Sequence, residues 1–178
     1  MADYCFAALG EHEQNQCGEL LFGGSDAVAL LELDHAINDW TDEAEWAAAI
    51  AADKARIVKG VKGNFPDPSP VTSPNPQGCG PANKTTGYDY TFVWLDSNVN
   101  GVNDVFYSDL NKRTLYLVWF ECSEGEIRVV ERKVLFQAFP ASLPEANTDY
   151  QAYNVTATWS APVDWYAPRY AAPTGIFE

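Results

Sequence analysis

Four segments in the second half of the chain alternate apolar and polar residues as β-strands do. They are YDYTFVWLD (88–96), RTLYLVWFEC (113–122), EIRVVERKVLFQAFP (126–140) and DYQAYNVTATWSAP (149–162). All four are rich in Val, Thr, Tyr, Phe and Trp, the residues that favour strands. Because alternate side chains of a strand point to opposite faces, the pattern predicts a sheet with one buried face. The chain is therefore expected to belong to the mainly β class.

The second and third of these segments are joined by CSEGE, a short stretch centred on Gly125. A short turn between two strand patterns predicts a β-hairpin over residues 113–140. Residues 18–38 hold two apolar runs separated by Gly23, Gly24 and Ser25, which predicts a strand, a turn and a second strand or loop. The expected fold is an antiparallel β-sandwich or barrel that carries one amphipathic helix and one short helix.

The amphipathic helix is predicted from NDWTDEAEWAAAIAADKARIVKG, residues 38–60. Asp39 or Thr41 serves as N-cap, acidic residues fill the first turn, and lysine and arginine precede a glycine stop at Gly60. Three apolar residues recur on one face at spacings of four and seven: Trp46, Ile50 and Ile57. The pattern predicts a helix of about four turns that serves as a packing element.

Residues 63–81, GNFPDPSPVTSPNPQGCGP, contain six of the eleven prolines and three glycines. This composition predicts a long exposed loop without regular structure. Loops of this length inside a domain tend to have a role, so two interpretations stay open: a surface insertion, or a contact arm for a neighbouring subunit. The candidate contact residues in the loop are Pro66, Pro70 and Pro74.

Length and charge limit the possible functions. A chain of 178 residues with 47% hydrophobic residues is expected to form one β-rich domain, residues 1–162, followed by an extended arm at residues 163–178. The formal charge of −14, from 25 acidic and 11 basic residues, argues against a surface that grips nucleic acid. Such a charge suits a surface that must not adhere to DNA.

The N-terminal stretch MADYCFAALGEHEQ lacks the features of a signal peptide, and no segment has the length of a membrane span. We therefore expect a protein that folds in a cytoplasm and has no membrane partner. The four cysteines, Cys5, Cys17, Cys79 and Cys122, lack C-x-x-C spacing, so they are interpreted as buried thiols rather than a zinc site. No cofactor is expected.

The stretch LDSNVNGVND, residues 95–104, reads like the first half of a calcium loop. The candidate ligands are Asp96, Asn98, Asn100 and Asp104, with a glycine at the sixth position, Gly101. The twelfth position, which normally provides a bidentate carboxylate, is Tyr107. The rival interpretation is a helix cap, in which Asn98 or Asn100 caps a short helix over residues 103–112. It places Val102, Val105, Phe106 and Leu110 on one buried face, and we favour it.

Catalytic signatures are scarce. The two histidines, His12 and His35, are interpreted as bystanders, and GGSDA around Ser25 does not match the nucleophile-elbow pattern. The sequence also lacks a phosphate-binding loop, a dinucleotide fingerprint and the zinc-protease motif. We therefore expect a protein that is not an enzyme.

The C-terminal segment VDWYAPRYAAPTGIFE interleaves aromatic residues with prolines. Proline opposes a helix, and exposed aromatic side chains on a loose tail are a liability. The arm is therefore expected to pack either on its own core or on a neighbouring subunit, and we favour the neighbour. Its candidate contact residues are Trp165, Tyr166, Tyr170 and Phe177.

The order of these elements resembles the tail tube and related virion proteins of phages that infect Bacteroidota-type hosts. The features that carry the resemblance, within residues 18–162, are a helix from Trp46 to Val58, the CGP element at Cys79–Pro81, a short helix from Asn103 to Lys112, a strand ending at Cys122, and a strand bearing Trp159. The long proline loop and the aromatic arm depart from this pattern, which allows a different virion role.

The resemblance implies a β-sandwich or barrel that assembles into homohexameric rings, stacked as a tube for DNA. It implies self-association, contacts with other virion tail proteins, and a virion location after assembly in the host cytoplasm. An acidic lumen would let DNA pass without adhering.

Two alternatives stay open. One is a surface binding module, such as a carbohydrate-binding β-sandwich that uses exposed Trp94, Trp119 or Trp165, with calcium at Asp96. The other is a different virion role, such as a capsid decoration protein or a tail terminator.

Overall fold

The computed structural model describes residues 25–74, 83–121, 125–139 and 151–177, and within them the fold is mainly antiparallel β with two helices. The helices are α1 (Glu43–Ala51) and α2 (Gly101–Leu110). The strands are β1 (Ser25–Leu31), β2 (Ala55–Asn64), β3 (Ser69–Pro74), β4 (Asn83–Asp96), β5 (Thr114–Glu121), β6 (Glu126–Phe139), β7 (Tyr153–Pro162) and β8 (Arg169–Ala171). The predicted class is confirmed, and so are the four late strands and the β5–β6 hairpin.

The sheet closes on itself. Its strands follow the order β2-β1-β5-β6-β7-β4, and β2 also pairs with β4, so six strands form a barrel-like ring. The closing contact pairs Lys62, Gly63 and Asn64 of β2 with Leu95, Trp94 and Val93 of β4. Two strands lie outside the ring: β3 continues along β4, and β8 continues along β6.

Large aromatic side chains fill the inside of the ring. Along β7 the residues predicted to face inward, Tyr153, Val155, Ala157 and Trp159, are buried, while their neighbours face outward. At one end of the interior, Phe65 lies parallel to both Tyr90 and Trp159, with ring centroids 6.2 and 6.0 Å apart. Because such rings bury large apolar areas, they dominate the stability of this core.

A second apolar cluster lies on the outer face of β1, β2 and β5, under α1 and the C-terminal segment. Trp46 of α1 is fully buried there and donates its indole N–H to the Trp40 carbonyl at 3.0 Å. Phe177 meets the Trp46 ring edge-on, with centroids 5.1 Å apart. These strands and the start of β6, with Ile127 and Val129, are therefore buried on both faces. The outer face of β7, of β4 and of β6 from Leu135 onward is left uncovered by any described element.

The helix prediction was wrong over its second half. Helix α1 is capped by Asp42, whose carboxylate accepts the Ala44 N–H at 2.9 Å, and it ends at Ala51. The chain then turns through Asp53, whose φ of 55° lies in the left-handed region. The expected helical residues Ile57 and Val58 instead pair with β1 as part of β2. Pairing with β1 and burial of Ile57 and Val58 outweigh the helical spacing, since β-branched residues suit a strand.

The prediction of an irregular loop over residues 63–81 was also wrong in part. Gly63 and Asn64 belong to β2, and residues 69–74 form β3, while residues 75–81 lie outside the described residues. Proline is accepted in a sheet where its nitrogen faces away from the partner strand, as on an edge strand. Strand β3 occupies such a position, so Pro70 and Pro74 do not prevent pairing.

Gly63 lies at the closure of the ring and generates a first prediction. A Cβ at this position would lie 2.7 Å from Cζ of Phe92 and 2.8 Å from Cβ of Ser25. We expect Gly63→Ala to lower the free energy of unfolding by about 1–3 kcal/mol, because a packed aromatic ring would have to move.

Gly101 provides the matched control, since a Cβ there meets nothing within 4 Å and the residue lies in α2. Gly101→Ala should leave stability unchanged or raise it by about 0.5–1 kcal/mol. Urea denaturation of both variants measures the difference. Equal effects of the two substitutions would contradict tight packing at the closure.

Candidate functional site

The stretch that reads like a calcium loop connects β4 to α2, and its first carboxylate is buried. Asp96 is fully inaccessible to solvent. One carboxylate oxygen accepts the Asn98 N–H at 2.8 Å, and the other accepts the Tyr107 hydroxyl at 2.7 Å. The first contact is an Asx turn, a local way for aspartate to support a change of chain direction.

Asn100 caps α2. Its side-chain oxygen accepts the N–H groups of Val102 and Asn103 at 3.0 and 2.9 Å, and its amide donates to the Asn98 side chain at 3.2 Å. Asp104 lies in the first turn, where a negative charge stabilises the helix. Its carboxylate also accepts the Tyr153 hydroxyl at 2.7 Å. The capping interpretation of this stretch is thereby confirmed.

The four candidate calcium ligands, Asp96, Asn98, Asn100 and Asp104, thus each accept a hydrogen bond from the protein itself. At the twelfth position Tyr107 donates to Asp96 instead of providing a carboxylate. Within the described ranges, no group of three or more His, Cys, Asp or Glu side chains is arranged to hold a metal ion. The geometry favours a structural role for the loop, in which protein donors occupy the oxygens that a cation would need.

Helix α2 faces the core differently from the prediction. Val102 and Val105 were expected on its buried face, yet they are 44% and 60% exposed. The buried side chains are Asn103, Phe106, Tyr107 and Leu110. Asn103 replaces the valines because its amide donates to the Asn98 carbonyl at 2.8 Å, which turns the helix so that Tyr107 reaches Asp96.

Two tyrosines, Tyr107 of α2 and Tyr153 of β7, keep their protons far into the alkaline range. Burial, together with the adjacent Asp96 carboxylate, raises the pKa of Tyr107 well above its usual value. Burial and the hydrogen bond to Asp104 raise the pKa of Tyr153 to about 12. The two rings lie against each other with centroids 4.4 Å apart. Sequence reasoning missed this tyrosine pair, since the two residues are 46 positions apart in the chain.

The C-terminal contact candidates divide into two groups. Phe177 is buried, Trp165 packs edge-on against Tyr90 at 4.9 Å, and Tyr170 lies 6.4 Å from Trp40. All three pack on their own chain. Burial removes Phe177 from the contact candidates, whereas subunit contacts by the half-buried Trp165 and Tyr170 stay a prediction. Tyr166 is 75% exposed, and its role as a subunit contact stays a prediction.

The proline candidates lie at or beside the free edge of the sheet. Pro70 and Pro74 are exposed on β3, and Pro66 is exposed in the connection between β2 and β3. Their position is compatible with contacts to another subunit, which stays a prediction.

The tryptophans considered for carbohydrate binding are mostly hidden. Trp94 is fully buried, Trp119 is 1% exposed and Trp165 is half-buried. Because sugar binding by stacking requires an accessible aromatic face, Trp94 and Trp119 do not provide that surface. His35 is half-buried beside Asp34, whereas His12 and all four cysteines lie outside the described residues.

Comparison of the chain with protein-family models, with curated proteins and with solved structures finds no match. Neither helix in the described part of the chain is long and apolar enough to cross a membrane.

The buried pair Asp96–Tyr107 generates a second prediction. Tyr107→Phe would leave one carboxylate oxygen of Asp96 without this donor in a buried position. We expect the free energy of unfolding to fall by about 1–3 kcal/mol. Tyr116→Phe, at a half-buried position in β5, is the control. Urea denaturation followed by tryptophan fluorescence measures both, and an equal effect would show that the pair is not important for stability.

The pKa of Tyr153 generates a third prediction. The folded chain holds this proton up to about pH 12, whereas an unfolded tyrosine loses it near pH 10, about its usual pKa. The resulting stability is present below pH 10 and is lost as the pH rises towards 12. We expect Tyr153→Phe to show a shallower loss of stability over this range than the unaltered protein.

The measurement is urea denaturation at a series of pH values from 8 to about 12. Tyr166→Phe, at an exposed position, should keep the steeper loss. Parallel curves for the Tyr153 variant and the unaltered protein would contradict the assignment.

Proposed function

We propose that this protein is a non-enzymatic virion subunit that assembles with copies of itself into rings, which stack as the tail tube of a phage of Bacteroidota-type hosts. Its partners would be further copies and other tail proteins, with DNA passing through an acidic lumen. The observation that carries the proposal is a hairpin made of β3 and the start of β4, which extends past the ring of strands.

Among the described residues, little packs on the faces of the hairpin. Strand β7 covers β4 only from Gly87 onward, so residues 83–86 of β4 pair with β3 alone among the described elements. Five of the six residues of β3 are exposed, and Val71 is 37% exposed. A two-stranded hairpin is at best marginally stable by itself in water. A neighbouring subunit that covers its faces would supply the missing contacts.

The edge of the hairpin is protected against unlimited strand addition. Pro70, Thr72 and Pro74 are alternate residues of β3, so their backbone nitrogens point to the same side of the strand. Because a proline nitrogen cannot donate a hydrogen bond, this side faces away from β4. The free edge is therefore poor in donors, which discourages pairing with another strand. Contacts through the hairpin faces would allow an assembly of defined geometry instead of an aggregate.

The uncovered sheet face offers a second surface for contacts between acidic subunits. Three rows run across β6, β7 and β4 without a charge: Leu135–Thr158–Thr91, Gln137–Thr156–Val93 and Phe139–Asn154–Leu95. Leu135 is 61% exposed and Phe139 is 51% exposed. Two chains of charge −14 repel each other, so a neutral face lowers the cost of association.

The fourth prediction tests assembly itself. Negative-stain electron microscopy and light scattering of the full chain, over a concentration series, should show rings or tubes of constant diameter. Because no metal is part of the proposal, EDTA should not change them. Val71→Glu places a charge on the hairpin and should raise the concentration for half-assembly about tenfold, which corresponds to about 1.4 kcal/mol.

Val163→Glu is the matched control, since Val163 is 50% exposed and lies outside the hairpin. It should assemble like the unaltered protein. A monomer at every concentration would contradict the proposal, and an equal loss in both variants would contradict the role of the hairpin. Single rings that do not stack would favour a tail terminator over a tube.

A further inference from the structure

A cleft of about 860 Å³ lies where the end of α1, the end of α2 and the middle of β6 meet. Four of the chain's eleven lysines and arginines line it, whereas only three of the 25 acidic residues do. The four cations are Lys54, Lys112, Arg113 and Lys133. In a chain with a charge of −14, this is a local reversal of the charge balance.

The acidic residues of the cleft already have partners. Glu32 accepts a hydrogen bond from Arg113 at 2.8 Å, and both side chains are largely buried. Asp34 lies 2.8 Å from the Lys54 ammonium, and this hydrogen bond lowers the pKa of Asp34. Asp53 pairs with Arg56 at 3.3 Å. The acids therefore pair with two of the four cleft cations, Lys54 and Arg113, and with Arg56 outside the lining. Lys112 and Lys133 are left to face an incoming group.

Those two lysines are accessible. The Lys112 side chain is 71% exposed, and its partner Asp109 lies 3.3 Å away in an exposed pair of little energetic weight. Lys133 is exposed on β6 and forms no ion pair with the described residues. Lys112 follows the end of α2 and Lys133 lies in β6, so the cleft brings together lysines from two parts of the chain.

The complementary negative charge lies at the start of α1, whereas the cleft lies at the end of that helix. Residues 39–45 contain four acidic residues, and the first lysine or arginine of the chain is Lys54. Three of the four acids serve the helix start: Asp39 binds Thr41, Asp42 caps Ala44, and Glu45 accepts the Asn38 N–H at 2.7 Å. Glu43 remains exposed in the first turn.

One chain cannot bring these two groups together. Helix α1 has nine residues, which corresponds to about 14 Å between its acidic start and the cleft beyond its end. A second copy placed head to tail can match them. Such a heterologous contact closes into a ring when the rotation between subunits allows it.

We propose that the cleft receives the acidic start of α1 from a second copy of the chain, with Glu43 of one copy facing Lys133 and Lys112 of the next. This inference rests on the proposed self-assembly and names its intersubunit contact. The two ends of α1 then act as the complementary halves of one interface, repeated around the ring.

A charge exchange tests the contact. Lys133→Glu and Glu43→Lys should each raise the concentration for half-assembly about tenfold at low salt, because an attraction becomes a repulsion. The double variant Glu43→Lys/Lys133→Glu restores opposite charges and should return to within about twofold of the unaltered protein. Lys62→Glu, an exposed lysine on β2 outside the cleft, is the control for net charge.

Sedimentation velocity over a concentration series measures half-assembly for all five proteins. Raising the salt from about 0.05 to about 0.5 M should reduce the differences between the single charge variants and the unaltered protein, since it screens exposed charges. If that protein assembles but the two single variants behave like Lys62→Glu, or the double variant loses the sum of both effects, the cleft contact is overturned while self-assembly stands. Absence of assembly in the unaltered protein overturns both.

Discussion

The fold depends on the contact that closes the sheet at Gly63. This residue pairs with Ser25 of β1 on one side and with Trp94 of β4 on the other. The absent Cβ leaves room for the Phe92 ring and for Ser25. Once β2 joins β1 to β4, the inward-facing apolar side chains of all six strands share one interior. Closure also pairs the backbone N–H and C=O groups at the edges of these strands, because a closed sheet has no free edge.

The closure decides which surfaces remain for other molecules. With six strands in the ring, the free strand at this end of the sheet is β3, and the hairpin that it forms with β4 lies beyond the last pair with β7. Helix α1 and Phe177 cover one side of the ring, and among the described residues the three uncharged rows of β6, β7 and β4 are left uncovered. The proposed assembly uses the hairpin and the sheet face, which the closed ring leaves exposed.

The starts of α1 and α2 show that one residue pattern can serve either as a helix cap or as a set of cation ligands. Aspartates and asparagines at a helix start resemble cation ligands, because both uses require oxygen atoms near a turn. Around Asp96 the protein's own N–H groups and a tyrosine hydroxyl occupy those oxygens. At the start of α1 Asp39, Asp42 and Glu45 are used in the same way, whereas the exposed Glu43 takes no part in these contacts.

The sequence by itself determined the strands at the end of the chain, the turn at Gly125 and the cap at Asn100, because alternation, glycine and local side-chain contacts act over a few residues. It misjudged Ile57 and Val58, whose helical spacing was outweighed by pairing with β1. It also missed β3, since prolines exclude a strand in the middle of a sheet but not at its edge. Only the tertiary structure brought Tyr107 to Tyr153, packed Trp165 and Phe177 against their own chain, and gathered four cations around one cleft. Those contacts join residues far apart in the chain, and the way the sheet closes decides which of them meet.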